Sequence, residues 1–311
     1  MSSKPETLNN LVSFGDSNYQ PLADVLASLE GLVPFGMSDK NASAVLLDEP
    51  LPGAKIIPGG VAVSSAGWFF LGRIICYGAD GMPFETHDKI FVAKDVIREI
   101  DGTYQLFTPY QAITHFEAQG NGEFLPSFAL SCNILATIFE RAVKKTGNTY
   151  TTLDAELKTV LDQYKDHGAG WGYQAQNTIV QWDRRNSKII HYPDNTQFTV
   201  AGVVDVINQQ GYHKELEFNP TNKFGDVLLE EALNTPEFAK YVKNLTGLQN
   251  PLILSEIGAY FGKPAKIWLP NNPSTVKDNR AAWLGCNNCD FLINTCDILI
   301  YNYGARGVRR E

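Results

Sequence analysis

Charged side chains are scarce in this chain. Asp, Glu, Lys and Arg make up 19% of its 311 residues, against about a quarter in most globular proteins. Hydrophobic residues at 44% and aromatic residues at 11% have ordinary values, which excludes a largely disordered chain. A surface short of charge is rich in neutral polar groups. Removing these from water when a partner covers them costs less free energy than removing charges. The composition therefore favours a folded protein that contacts other protein surfaces.

Long apolar runs are also missing. The most apolar stretch lies between Lys55 and Gly81, and its uncharged part Val61–Leu71 is about half of the roughly 20 residues that a membrane helix needs. Glycines interrupt the stretch, and the residues between them are mostly β-branched or aromatic. We predict two buried strands, Val61–Ser65 and Trp68–Tyr77, followed by a turn, and no contact with a membrane.

A basic surface is absent as well. The net charge is −8, so we expect no direct binding to duplex nucleic acid. Arg306, Arg309 and Arg310 are predicted to form a short solvated basic tail. No signal peptide is visible in the first residues. The five cysteines are then reduced thiols, and the expected location is the cytoplasm or a virion.

The order of the elements predicts a mixed α+β fold with three parts. Residues 1–60 read as an extended arm with a short helix, and 61–125 as a β-rich block. Residues 126–311 read as a mixed domain of helices and strands, with a mostly helical region and a closing C-terminal strand. The individual elements predicted after the first block are helices Ser127–Thr146, Thr152–His167, Thr199–Gln210 and Phe224–Leu233, helices starting at Pro236 and Pro251, a hairpin of Thr178–Asp183 with Lys188–Tyr192, and strands Ala265–Leu269 and Asp297–Tyr303.

One short motif, Ser13–Ser17 (SFGDS), resembles the nucleophile block of GDSL/SGNH-type hydrolases. That family also has a later Asp-x-x-His that supplies the base. None of the five histidines here has an acidic residue three positions earlier, and none follows His213. We therefore predict that Asp16 and Ser17 form a turn or a helix cap.

The densest cysteine cluster is Cys286, Cys289 and Cys296. A C-x-x-C pair can supply two thiolates to a tetrahedral zinc ion, with Cys296 as a third ligand, but no fourth ligand follows from the spacing. The prediction is three reduced cysteines and no cofactor, with structural zinc or a redox pair as the alternatives. Asp80, Glu85, His87 and Asp88 are interpreted as a solvated acidic turn.

Three aromatic residues are the candidates for a protein interface: Phe69 and Phe70 in the apolar stretch, and Trp171 in a glycine-rich loop. No catalytic residues can be assigned. The sequence thus favours a structural, self-associating subunit of a large assembly of the virus- or phage-particle kind, with copies of itself or other subunits as partners. A hydrolase with an unidentified active site is the alternative.

Overall fold

The structure is a computed structural model of the chain. It describes residues 67–99, 102–120, 122–165, 174–182, 188–192, 202–205, 226–269, 278–298 and 303–310. All of them belong to one compact unit, Gly60–Glu311. The predicted arm, the predicted strand Val61–Ser65, the SFGDS motif and Trp171 lie outside the described residues.

The described residues form helices and strands in mixed order, which confirms the mixed α+β class. The helices are α1 (Pro109–Gln119), α2 (Phe128–Ala142), α3 (Ala155–Asp162), α4 (Leu229–Asn234), α5 (Pro236–Thr246) and α6 (Ile253–Phe261). The strands are β1 (Trp68–Tyr77), β2 (Pro83–Ala93), β3 (Glu123–Phe124), β4 (Val143–Thr146), β5 (Thr149–Thr152), β6 (Gln174–Trp182), β7 (Lys188–His191), β8 (Gly202–Asp205), β9 (Asp226–Leu228), β10 (Ala265–Trp268), β11 (Asp278–Cys286), β12 (Phe291–Ile298) and β13 (Val308–Arg310).

The first sheet has the strand order β1-β2-β13-β3 and is antiparallel throughout. Strands β1 and β2 form a long hairpin whose register shifts on both sides of Gly72. Gly72 has a φ of 88°, a conformation that a side chain would strain. Strand β13 lies between β2 and β3, so residues from the two ends of the described chain share one sheet.

The second sheet has the order β8-β7-β6-β11-β12-β10-β9. Its strands pair antiparallel except for β10 and β12, which are parallel. A bridge between Gln174 at the start of β6 and Gly304 connects it to the segment that leads into β13. A separate small hairpin consists of β4 and β5.

Helix α2 is the centre of the core. Eleven of its 15 residues are buried. The other four, Asn133, Thr137, Glu140 and Arg141, fall on one stripe of the helix, so α2 is enclosed on its remaining sides. It packs against β1, β6, β11 and the helices α3, α5 and α6. Its first residues therefore lie where the two sheets approach each other, and polar side chains collect at that point.

Several predicted elements are confirmed. Strand β1 has the predicted bounds, and the predicted hairpin is the pair β6–β7 with Thr178 opposite His191. Helix α5 starts at Pro236 and ends at Gly247, which has a φ of 64°. Helix α2 starts after Ser127, whose side chain accepts a hydrogen bond from the Leu130 amide (3.0 Å).

Other predictions were wrong in part. The helix predicted for Ser127–Thr146 ends at Ala142, and the helix predicted from Thr152 starts at Ala155, because β4 and β5 form a hairpin between them. Threonines at both ends of β5 favour strands, and Gly147 has the positive φ of 61° that a tight turn uses.

In the predicted helix Thr199–Gln210, the described part Gly202–Asp205 is strand β8. It pairs with β7, and the ladder supplies the hydrogen bonds that a helix would have made. Strand β9 begins at Asp226, so α4 starts only at Leu229. The closing strand is β13, while Phe291–Ile298, which overlaps the strand predicted for Asp297–Tyr303, belongs to the second sheet.

Candidate functional site

A buried polar cluster lies at the start of α2, between the two sheets. It consists of Glu85 and His87 on β2, Ser127 before α2, Thr178 on β6 and His191 on β7, all buried. Glu85 and His87 lie two residues apart on one strand, so both side chains point to the same face. The interpretation of these two residues as part of a solvated turn was wrong. The turn is formed by residues 78–82, and Asp80 and Asp88 are exposed.

Two donors satisfy the Glu85 carboxylate. The Ser127 hydroxyl donates to Oε2 (2.6 Å), and the His87 Nε2 lies 2.8 Å from Oε1. Ser127 also accepts from the Leu130 amide at the N-terminus of α2. The carboxylate thus lies next to the positive end of a helix dipole, where a negative charge is stabilised. Such a fully bonded carboxylate fits a buried position.

Both ring nitrogens of His191 make hydrogen bonds. Its Nε2 lies 3.0 Å from the carbonyl oxygen of Asn244 in α5, and its Nδ1 lies 2.9 Å from the Thr178 hydroxyl. The ring stacks on Phe84, with centroids 5.1 Å apart. Burial lowers the pKa of His191, although the Asn244 carbonyl and the Glu85 charge act in the opposite direction. The imidazole is therefore neutral near pH 7.

This geometry does not fit nucleophilic catalysis. A serine nucleophile donates to an imidazole, and a carboxylate orients that imidazole from its other side. Here the order is different, because Ser127 donates to the carboxylate of Glu85, which lies between the serine and His87. Ser127 also has no exposed surface (0%). We interpret the buried polar cluster as a structural network.

The cysteine candidates lie at the β11–β12 turn. Cys286 is buried at the end of β11, and burial raises its pKa to about 12, so its thiol is protonated near neutral pH. Cys289 is exposed in the turn, where its amide donates to the Asn287 side chain (2.7 Å). Cys296 lies on β12, five positions after Phe291, the residue that pairs with Cys286. Across the described ranges, no three His, Cys, Asp or Glu side chains are grouped to hold a metal ion.

The exposed surface of the first sheet carries a different kind of cluster, which we call the aromatic–arginine face. It consists of Trp68 and Phe70 on β1, Phe91 on β2 and Arg309 on β13. The rings of Phe70 and Phe91 have centroids 5.1 Å apart. The Arg309 guanidinium lies over Trp68 (4.8 Å) and over Phe91 (5.2 Å). Phe70 is 51% exposed, so the face presents a large aromatic ring to solvent.

The two phenylalanine candidates on β1 point to opposite sides of the sheet. Phe69 is half-buried and packs against the main core, whereas Phe70 points outward. An exposed ion pair between Arg73 and Asp88 (3.2 Å) lies on the same hairpin. The face therefore has an aromatic centre with charged groups near it, which is the arrangement of many protein interfaces.

Arg306 is a buried residue of the predicted basic tail, so the tail is not solvated as a whole. Its guanidinium donates to the Ala93 carbonyl (2.6 Å) and to the Gln163 side chain, and it lies 5.4 Å from the Tyr164 ring. Burial lowers its pKa, and its Nε has no hydrogen-bond partner among the described residues. Its contacts fasten the segment before β13 to the end of β2.

Sequence reasoning missed the buried polar cluster and the role of Arg309. Alternation along β2 was the usable indication for Glu85 and His87, because residues at i and i+2 share one face of a strand. Nothing in the sequence places Arg309 beside Trp68, since the pairing of β13 with β2 is not encoded by any local pattern.

Models of protein families, curated proteins and solved structures give no match to this chain. No helix in the part of the chain that the structure describes is long and apolar enough to cross a membrane.

Proposed function

We propose that the chain is a structural, self-associating subunit of a larger assembly and that the aromatic–arginine face binds a second copy. The observation that carries the proposal is the 51% exposure of Phe70 beside a ring and a guanidinium on neighbouring strands. Large aromatic side chains and arginine dominate the binding free energy of protein interfaces.

The composition of the face supports this role. An arginine stacked on aromatic rings is already partly desolvated, and a guanidinium is more weakly hydrated than an ammonium group, so covering it costs less. Among the described strands, β1 has a neighbour on one side only. Its other side is an edge of the first sheet, and this edge borders the aromatic–arginine face. A two-fold contact would bring the same face of two copies together and would need no second surface.

The low charge of the chain supports the same proposal. With 19% charged residues, much of its surface can be covered without removing charges from water. The buried polar cluster, in contrast, has its hydroxyl, carboxylate and imidazole groups engaged with each other. It favours a structural role over a hydrolytic one.

The test is size-exclusion chromatography with light scattering at micromolar concentration. The wild type is expected to form an oligomer, and Phe70→Asp is expected to be a monomer with a melting temperature close to the wild type. Leu153→Asp is the matched control, because Leu153 is also an exposed apolar side chain (59%) but lies between β5 and α3. This control should remain oligomeric.

Two results would contradict the proposal. A monomeric wild type at these concentrations would exclude self-association, and an oligomer that survives Phe70→Asp would exclude this face as the contact. Phe69→Asp separates folding from binding, since a charge on the core side of β1 should destabilise the fold itself.

A further inference from the structure

The imidazole of His191 lies where four elements of the fold meet. His191 belongs to β7 of the second sheet, Thr178 belongs to β6, and their hydrogen bonds reach the first residue of α2 and the last turn of α5. We call this set of bonds the His191 joint: His191, Thr178, the Phe128 amide and the Asn244 carbonyl. We propose that the His191 joint is acid-sensitive and that protonation of the imidazole releases the second sheet from α2 and α5.

The proton positions follow from the partners. The Asn244 carbonyl only accepts, so Nε2 of His191 carries the proton of the neutral ring. Nδ1 then accepts from the Thr178 hydroxyl. The Thr178 oxygen in turn accepts from the Phe128 amide (2.8 Å). Every donor in this chain of bonds has an acceptor in the neutral state.

A second proton on His191 breaks this pattern. Nδ1 becomes a donor, so the Thr178 hydroxyl has to turn away from it. The Thr178 oxygen would then accept from both Nδ1 and the Phe128 amide, and its own proton would lose the Nδ1 acceptor that it has in the neutral state. The cation would also be buried, which is unfavourable without a carboxylate in direct contact.

The charged and polar groups around the His191 ring set the free-energy cost of protonating it. From β2, Glu85 attracts a proton to His191 through its charge, but both Glu85 oxygens already accept from His87 and Ser127. β2 also presents the uncharged Phe84 ring, β6 the Thr178 hydroxyl, α2 a peptide amide and α5 a carbonyl. Glu85 is thus the charged group that acts on the His191 ring, but its carboxylate makes no hydrogen bond to that ring.

The sign of the pH effect follows from the same facts. The ordinary pKa of histidine is 6.5, and the folded state holds His191 below it. From about pH 6.5 downward, the opened state binds a proton that the closed joint does not. The opening constant should then rise by about tenfold per pH unit until the pH reaches the folded-state pKa.

Amide hydrogen exchange of the full chain tests the proposal between pH 7.5 and 5. The reporters are the Phe128 amide and the Tyr192 amide, which donates to the Asn177 carbonyl (3.0 Å). Their protection factors should fall by about tenfold per pH unit below pH 6.5. The Ala112 amide in α1, which bonds to the Thr108 carbonyl, should keep its protection.

Two variants separate His191 from other histidines. His191→Gln keeps a donor and an acceptor but does not titrate, so the loss of protection should disappear. His115→Gln is the matched control, because burial also lowers the pKa of His115 but its ring lies on α1. This variant should lose protection at Phe128 and Tyr192 as the wild type does. An unchanged loss in His191→Gln, or constant protection in the wild type, would overturn the proposal.

If His191→Gln does not fold, NMR of the wild-type imidazole resonances tests whether protonation of His191 accompanies the opening of the His191 joint. We expect His191 to carry its proton on Nε2 at pH 7 and to take up a second proton only together with the loss of protection. A protonated His191 with full protection at Phe128 and Tyr192 would contradict the proposal.

Discussion

At the scale of single residues, Ser127 shows how one side chain joins two parts of the fold. Its hydroxyl accepts from the Leu130 amide and donates to Glu85, and the side chain is fully buried. Ser127→Ala would remove a helix cap and also one of the two donors to a buried carboxylate. We expect a loss of about 2–4 kcal/mol in the free energy of unfolding, measured by urea denaturation.

The matched control is the cap of α3. Asp154 accepts from the amides of Glu156 and Leu157, but the first of these bonds is exposed and the second only half-buried. Asp154→Ala should cost about 1 kcal/mol, as for an ordinary cap. Equal losses for the two variants would show that the bond to Glu85 contributes nothing to stability.

The buried residues also show what the sequence can indicate at this scale. Ser127 was identifiable as a cap, because a serine before a long apolar helix is a local pattern. Glu85 and His87 look like solvent-exposed residues in the sequence, and their burial depends on Ser127 and Phe124 approaching from another part of the chain. Contacts of this kind are set by the fold.

At the scale of elements, two glycines that end helices make a matched pair. Gly247 ends α5 and Gly262 ends α6, and both have positive φ angles, 64° and 73°. A Cβ on Gly247 would lie 2.7 Å from the Cβ of Ala129 and 2.9 Å from that of Cys76, whereas a Cβ on Gly262 would meet no atom within 4 Å.

We therefore expect the same substitution to lower the free energy of unfolding by different amounts at the two positions. Gly262→Ala should cost about 1 kcal/mol, which is the strain of the left-handed backbone. Gly247→Ala adds an overlap with α2 and β1 and should cost about 2–4 kcal/mol. Thermal or urea unfolding measures both. Similar losses would indicate that α2 and β1 can move apart without cost.

The elements that the sequence predicted correctly have strong local determinants. Strand β1 is rich in aromatic and β-branched residues, and α5 has proline at its first position and glycine after its last. Strand β8 was mistaken for a helix because its apolar residues also fit helical spacing, and only pairing with β7 decides between the two.

Helix α1 was missed, although its start carries a recognisable pattern. Thr108 and Gln111 form a capping box around Pro109 at the first helical position.

At the scale of the whole molecule, β13 completes the first sheet. Val308 is 1% exposed and pairs with Val92 on one side and Phe124 on the other. Val308→Asp would place an unpaired carboxylate in the core, and we expect a loss of at least about 3 kcal/mol or no folding. Circular dichroism and urea denaturation measure this.

The neighbouring residue serves as the control. Arg309 belongs to the aromatic–arginine face, so Arg309→Ala should leave the fold nearly unchanged and should weaken the self-association proposed for this face. A folded Val308→Asp protein with wild-type stability would show that β13 is not needed for the sheet.

The position of β13 has a consequence for synthesis on the ribosome. The Arg306 guanidinium and the Ala93 carbonyl to which it donates are 213 positions apart. At about 5–20 residues per second, translation of that interval takes roughly 10–40 s. During this time β2 lacks its partner on one side, and nascent chains on the same messenger RNA could pair through the unfilled edge. Completion of the first sheet therefore waits until β13 has been synthesised, because β13 pairs with both β2 and β3.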